Sequence, residues 1–138
     1  MATRLEDIAE RFGTARVLVL GDVMLDRFVY GDVGRISPEA PIPVLAIARE
    51  VAMPGGAANV ARNVASLGGH AVLIGVAGED RPGDELAALL AQSSGITAAL
   101  VRSRHRPTTQ KTRYVADRQQ VLRTDVESRA PCDECRDE

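Results

Sequence analysis

Two aspartates and a pair of glycines are the residues of this chain whose types and spacing indicate chemistry. Asp22 and Asp26 follow a run of apolar residues, and Gly55 and Gly56 stand in the later segment PGGAANVARNV (54–64). Two glycines let a ligand approach the backbone closely, and the free amides at the start of the following helix face that ligand. Carboxylates there accept hydrogen bonds from neighbouring hydroxyl groups. The pattern indicates half of a sugar-binding site.

The same residues also have plainer interpretations. Aspartates often cap turns, and glycines and alanines at this density also serve close packing of a helix on a sheet. Asn59, one helical turn beyond the glycines, favours the binding site, because its amide presents a donor and an acceptor to the same pocket. A dinucleotide site is the obvious competitor, but the first strand lacks the G-x-G-x-x-G pattern and ends in a single Gly-Asp.

A phosphorylated sugar also needs cations, and the later part of the chain offers Lys111, Arg113 and Arg123. Lys111 is the only lysine among 17 lysines and arginines, which suggests that a compact ammonium is required there. A solvated strand residue is the alternative interpretation for both Lys111 and Arg113. Arg35 is a weaker candidate for the same phosphate. The two histidines are isolated, and we assign them no role.

The pattern of apolar residues predicts alternating strands and helices, which is typical of an α/β sheet with right-handed crossovers. The first strand, 15–20, reads as buried on both faces, and Asp80 or Asp84 lies near the start of the second main helix. The predicted elements, in order, are a short amphipathic helix at 5–12, strand 15–20, helix 56–67, strand 71–76, helix 84–92 and strand 98–101. Ligands of such sheets bind beyond the carboxyl ends of the strands, where Asp22 and Asp26 fall.

Two further segments read differently. Residues 25–47 contain several glycines and prolines, which exclude helix and favour edge strands or a flap, with short extended pieces at 27–30 and 44–47. Residues 108–115 and 119–124 alternate in the manner of a β-hairpin with its turn at 116–118.

Composition limits the possible functions. A chain of 138 residues fits one domain, and its net charge of −2 gives no reason to expect nucleic acid or an anionic membrane as a partner. No apolar run approaches the roughly 20 residues that span a bilayer, and the charged N-terminus is unlike a signal peptide. We therefore expect a cytoplasmic protein. Both cysteines, Cys132 and Cys135, lie in a charged segment, 129–138, that we predict to be a disordered tail rather than half of a zinc site or a redox pair.

The glycine and aspartate motifs together resemble the N-terminal signature of the ribokinase, or PfkB, family of sugar kinases. A second motif is more specific and resembles the heptose 7-phosphate kinase domain of lipopolysaccharide precursor synthesis. The resemblance covers about residues 15–125. The motifs that carry it are GDVMLD (21–26) with PGGAANVA (54–61), and GDVMLDR (21–27) with RISPEAPIPV (35–44).

This resemblance implies a fold and roles for individual residues. It implies the N-terminal half of a ribokinase-like, three-layer αβα fold over 1–128, with a small β-lid from about 27–50 and 106–125. Asp26 falls where the family's aspartate binds sugar hydroxyls, and Gly55, Gly56 and Asn59 fall on its substrate-contacting turn. The lid closes over the sugar, excludes water, and often pairs with a second lid in a homodimer.

The resemblance further implies ATP and Mg²⁺ as cofactors. The family's second glycine-rich motif, which brings the general-base aspartate and most of the nucleotide pocket, has no match in residues 1–138, so we predict no catalytic or metal-binding residue here. Three hypotheses follow: a sugar-phosphate kinase completed by a C-terminal half from another chain, a non-catalytic sugar-phosphate binding module, and a non-functional remnant. We also expect unpaired strand edges and uncovered apolar faces, and hence marginal stability and self-association.

Overall fold

A computed structural model describes residues 5–130 and residue 132. The chain alternates strands and helices in its first part and ends in a hairpin, as the sequence predicts. A short helix (α1) and a 3₁₀ turn precede the sheets. The elements are α1 Leu5–Glu10, the 3₁₀ turn Arg11–Thr14, β1 Arg16–Leu20, β2 Val23–Ile36, β3 Pro43–Gly56, α2 Ala57–Ser66, β4 His70–Gly78, α3 Arg81–Ala91, β5 Ile96–Ser103, β6 Gln110–Ala116 and β7 Gln119–Val126.

The first sheet is parallel, with the order β1-β4-β5. Both longer helices place their buried side chains in one cluster against this sheet, because small residues on α2 allow close approach and leucines on α3 fill the remaining space. The cluster contains Val19, Val23, Leu25, Ala58, Ala61, Ala71, Leu73, Leu86 and Leu90. The predicted α/β fold class is therefore confirmed.

Strand β1 corrects one expectation. It was predicted to be buried on both faces, but only Val19 is buried, whereas Leu18 and Leu20 are 65% and 75% exposed. The reason is that β1 is an edge strand and that the helical cluster covers the face to which Val19 belongs. Val72 on β4 is likewise exposed, so this sheet presents a partly uncovered apolar face.

The second sheet contains four strands in the order β3-β2-β6-β7. The two short extended pieces predicted at 27–30 and 44–47 belong to much longer strands, β2 and β3, of 14 residues each. The prolines are compatible with this because β3 is an edge strand, where a missing amide donor is tolerated. Between the strands, Pro38 and Pro41 lie in the connection, where no ladder is interrupted.

The predicted hairpin is present as β6 and β7, paired antiparallel, and β6 also pairs in parallel with β2. Its turn places Asp117 and Arg118 at positive φ, +47° and +68°. Helix α3 begins earlier than predicted, at Arg81, because Asp80 is its N-cap and Pro82 is compatible with the first turn. Within the described residues, no helix is long and apolar enough to cross a membrane. Most of the predicted tail, including Cys135, lies outside the described residues.

Candidate functional site

Asp26 lies on β2, one of the two inner strands of the second sheet. Its neighbour Leu25 is buried in the core, so the alternation of the strand turns Asp26 to the opposite face. There Arg113 of β6 donates from its Nη1 to Asp26 Oδ1 at 2.6 Å, and both side chains are mostly buried. The guanidinium of Arg113 also lies over the ring of Phe28, 5.1 Å from its centroid. The acceptor carboxylate is thus held in one orientation by a charge-assisted bond.

Gly55 and Gly56 lie against the two aspartates. A Cβ at Gly55 would come within 2.7 Å of Asp26 Cγ, so only glycine leaves room for this carboxylate. Gly56 has a φ of +58°, and a Cβ there would overlap the carbonyl oxygen of Asp22. That same carbonyl accepts a 2.9 Å hydrogen bond from the amide of Ala57, the first residue of α2. The structure therefore brings Asp22, Asp26, Gly55 and Gly56 together.

Lys111 and Arg123 both form ion pairs within the hairpin region. Their partners are the carboxylates of Asp125 on β7 and Glu127 just after it. Lys111 Nζ donates to Asp125 at 3.0 Å and to Glu127 at 3.5 Å, and Arg123 Nε lies 3.0 Å from the other oxygen of Asp125. The hydrogen bond to Asp125, aided by both carboxylate charges, raises the pKa of Lys111, and the bond from Lys111 lowers the pKa of Asp125. Both groups therefore stay charged at neutral pH.

A cavity of about 320 Å³ opens beside Lys111, at the end of the second sheet where Asp22 lies. Two of its lining residues, Arg106 and Arg129, are cations that the sequence analysis did not single out. Arg106 directly precedes the Pro-Thr-Thr segment before β6, and this position next to a predicted strand could have marked it as a candidate. Arg129 falls in the predicted tail, where no sequence pattern marks it as a site residue. The lining consists of Asp22, Met24, Arg106, Thr109, Lys111, Glu127, Ser128 and Arg129.

The other two predicted residues lie elsewhere. Asn59 is exposed on α2 and lines a different cleft, of about 340 Å³, together with Asn63 and residues after α3; Asp26 is not part of that lining. Arg35 lies near the far end of β2, nine residues beyond Asp26, which at about 3.3 Å per residue is roughly 30 Å away. Arg35 therefore lies far from Asp26 along β2, and its contact with the phosphate stays a prediction.

A buried hydrogen-bond network fixes the backbone that leads into β6, and the sequence analysis missed it. The Asp80 carboxylate accepts bonds from the Thr108 hydroxyl at 2.6 Å, from the Thr108 amide at 2.8 Å and from the Gly83 amide at 2.9 Å. The Thr108 hydroxyl in turn accepts from the Gly78 amide at 2.8 Å. The two glycines that flank Asp80, Gly78 and Gly83, could have indicated this network in the sequence. A Cβ at either glycine would collide with it.

The ionisation of Asp80 follows from this network. Burial raises the pKa of its carboxyl, but the hydrogen bonds from Thr108 and Gly83 and the nearby charge of Arg102 outweigh burial, and the pKa lies below its usual value. Asp80 is thus a carboxylate at neutral pH. Within residues 5–130 and 132, no three His, Cys, Asp or Glu side chains form a group that could hold a metal ion.

The chain was compared with known protein families and sequences. Residues 14–131 match the model of the pfkB family carbohydrate kinases. The bifunctional protein HldE of Hyphomonas neptunium is 54% identical over 138 residues, which are all of this chain and 28% of that protein. The D-beta-D-heptose 7-phosphate kinase of Bordetella bronchiseptica is 53% identical over 119 residues, 86% of this chain and 38% of that protein.

The chain is also similar in structure to solved carbohydrate kinases. A carbohydrate kinase from Agrobacterium tumefaciens superposes with a TM-score of 0.64 and 25% identity, covering 80% of this chain and 35% of that one. Phosphofructokinase-2 from Escherichia coli in complex with fructose-6-phosphate gives a TM-score of 0.62 and 29% identity, covering 82% and 35%. The chain therefore spans only about a third of these structures and between 28% and 38% of the two curated relatives above.

Proposed function

The chain belongs to the pfkB family of carbohydrate kinases, and from this premise we propose that it forms the acceptor-binding part of an ATP-dependent sugar-phosphate kinase. The single observation that supports this most directly is the Asp26 carboxylate, which Arg113 holds in place and which occupies the space left by the absence of a side chain at Gly55. A carboxylate so placed accepts hydrogen bonds from two neighbouring sugar hydroxyls. Asn59 remains a proposed sugar contact. Because it lies on α2 and lines a different cleft, the ligand would have to extend from Asp26 toward α2, or the lid would have to move, for this contact to form.

The acceptor that we propose is heptose 7-phosphate. The support is that the Bordetella bronchiseptica relative, which is 53% identical over 119 residues, is a D-beta-D-heptose 7-phosphate kinase. In this reaction the terminal phosphoryl group of ATP passes to a sugar hydroxyl, whose proton leaves to a base, giving ADP and heptose 1,7-bisphosphate. Such a product would serve ADP-heptose and lipopolysaccharide core synthesis, and we propose the cytoplasm, where ATP is available, as the location of the protein.

The proposed kinase also requires a nucleotide, Mg²⁺ and a general base. No step of the transfer is assigned to the described residues. Phosphoryl transfer depends on positioning metal, nucleotide and acceptor together. We therefore propose that a C-terminal half completes the site. The exposed Leu18 and Leu20 on the first sheet are apolar surface that such a half would cover.

The second sheet serves as the β-lid in this proposal, and its closure would exclude water from the transferred phosphoryl group. Several isoleucines near its far end are exposed, including Ile36, Ile42 and Ile47 at 56–63%. Apolar side chains at such exposure favour burial against a partner, and a second lid in a homodimer is the partner that we propose.

Thermal unfolding with and without ligand tests the acceptor site without requiring turnover. Ligand that binds only the folded state raises its stability by mass action, by about 2.7 kcal/mol at a hundredfold excess over Kd. We expect stabilisation of the chain by heptose 7-phosphate and not by ATP–Mg²⁺ alone, and loss of the effect in Asp26→Asn. The matched control is Asp32→Asn, an exposed aspartate farther along β2.

The outcomes separate the hypotheses. Stabilisation by the sugar phosphate together with ATP-dependent phosphorylation after adding a C-terminal half supports the kinase. Stabilisation without turnover in the mixture favours a non-catalytic binding module. Absence of any shift with either ligand, in a chain that unfolds cooperatively, would contradict the proposed acceptor site and favour the remnant.

A further inference from the structure

The cavity beside Lys111 contains charged side chains that have no ion-pair partner among residues 5–130 and 132. Arg106 donates one bond, from Nη2 to the carbonyl oxygen of Ser128 at 3.0 Å, and no described carboxylate lies within ion-pair distance of it. Arg129 forms neither a hydrogen bond nor an ion pair with any residue in the described part of the chain. The carboxylate of Asp22 is equally without a described partner, although its carbonyl is bonded.

The predicted cations differ from these two arginines. Arg113 is engaged by Asp26, and the charge of Lys111 is balanced by Asp125 and Glu127. A phosphate that bound Arg113 directly would have to replace the carboxylate that this site needs for hydroxyl groups. Arg106 and Arg129, in contrast, can receive an anion without breaking any ion pair of the described residues.

The position of the cavity places it next to the acceptor carboxylate. Lys111 pairs with Asp26 across the parallel β2–β6 ladder, so the cavity adjoins the Asp26 site through one pair of neighbouring strands. The backbone there is fixed, because Thr108 is held by Asp80 and the carbonyl oxygen of Thr109 accepts a 2.8 Å bond from the amide of Leu25. The guanidinium of Arg106 is held by its bond to the carbonyl oxygen of Ser128, and a held guanidinium loses less entropy when it binds phosphate oxygens.

Resting on the proposed function, we propose that this cavity is the subsite for the phosphate already carried by the acceptor. Arg106 and Arg129 bind the phosphate oxygens, Lys111 stays paired with Asp125 and Glu127 beside them, and Asp22 accepts a hydrogen bond from a nearby sugar hydroxyl. The ligand class is a sugar monophosphate, and the subsite makes the protein select it over the corresponding free sugar.

Calorimetric titration of the whole chain with D-manno-heptose 7-phosphate and with unphosphorylated D-manno-heptose tests the subsite. We expect Arg129→Ala and Arg106→Ala each to weaken binding of the sugar phosphate by roughly tenfold, the loss of one charge-assisted contact, and binding of the free sugar by less than about twofold. Arg129 is exposed and forms no hydrogen bond or ion pair with the described residues, so we expect its variant to keep the fold. Arg16→Ala, an exposed cation on β1, is the matched control and is expected to change neither affinity.

The same titrations distinguish the two proposals. If both arginine variants bind the sugar phosphate as tightly as the unmodified chain, while Asp26→Asn binds it weakly, the subsite is wrong and the acceptor site stands. Loss of the preference for phosphate in Arg113→Ala alone would also overturn the subsite. A chain that binds neither sugar, or whose affinity is unaffected by Asp26→Asn, contradicts the proposed function itself.

Discussion

The glycine at position 55 shows how one missing side chain creates a site. The carboxylate of Asp26 occupies the space that any Cβ at Gly55 would need, and Arg113 holds it there from the neighbouring strand. Conformational freedom is not the reason, since Gly55 lies in regular β3, whereas Gly56 needs glycine for its positive φ. The two adjacent glycines therefore serve different physical purposes.

Replacing Gly55 with alanine is expected to displace the Asp26 carboxylate. The predicted result is at least a tenfold loss of affinity for the sugar phosphate and a loss of about 1–3 kcal/mol in the free energy of unfolding, because the added methyl group overpacks the site. Calorimetric titration and chemical denaturation measure the two effects. Gly34→Ala is the matched control, since a Cβ there meets nothing within 4 Å. Equal affinities in the two variants would contradict this account of Gly55.

At the scale of elements, the Asp80–Thr108 network connects the start of α3 to the segment that leads into β6. β6 contributes Lys111 and Arg113, and Arg106 immediately precedes the segment, so the network sets the position of three cations at once. It links parts of the chain that are separated by 28 residues. Such a contact is a positioning device, because Asp80 itself does not line the cavity.

The network also predicts a pH dependence. Because folding lowers the pKa of Asp80 below the usual value of an aspartate, about 3.9, its carboxylate stabilises the folded state above about pH 4, and this contribution is lost as pH falls through the folded pKa. Asp80→Asn is therefore expected to be less stable by about 1–2 kcal/mol at pH 7, with the difference shrinking below pH 4. Denaturant titrations at several pH values measure this. Asp84→Asn, which removes an exposed ion pair, is the control. A loss of unfolding free energy in Asp80→Asn that stays constant across pH would refute the role assigned to the Asp80 carboxylate.

At the scale of the whole molecule, the two sheets differ in what covers them. The helices cover one face of the parallel sheet, and the opposite face carries Leu18, Leu20 and Val72 in exposed positions. Apolar area of this kind is favourable to bury, at about 25 cal/mol per Å². We therefore predict that the chain associates through this face.

Polar substitution of that face is expected to reduce self-association while preserving the fold. The double variant Leu18→Thr and Leu20→Thr keeps β-propensity and removes exposed apolar surface, so sedimentation velocity should show a lower average mass than for the unmodified chain. The control is Val121→Thr with Leu122→Thr, two exposed apolar residues on β7 of the other sheet. If only the control variant dissociates, the interface lies on the lid instead.

The sequence by itself determined the order of strands and helices, the hairpin, the family and the pairing of aspartates with a glycine turn, because these depend on local periodicity and on contiguous motifs. Only the tertiary structure decided which cations meet which carboxylates: it paired Arg113 with Asp26, placed Arg35 far along β2, and gathered Arg106 and Arg129 beside Lys111. The tertiary structure also showed that most of β1 is exposed, although its apolar composition predicts a buried strand. The physical reason is that strand order, register and the face that helices cover arise from contacts distant in sequence, to which no local pattern is sensitive.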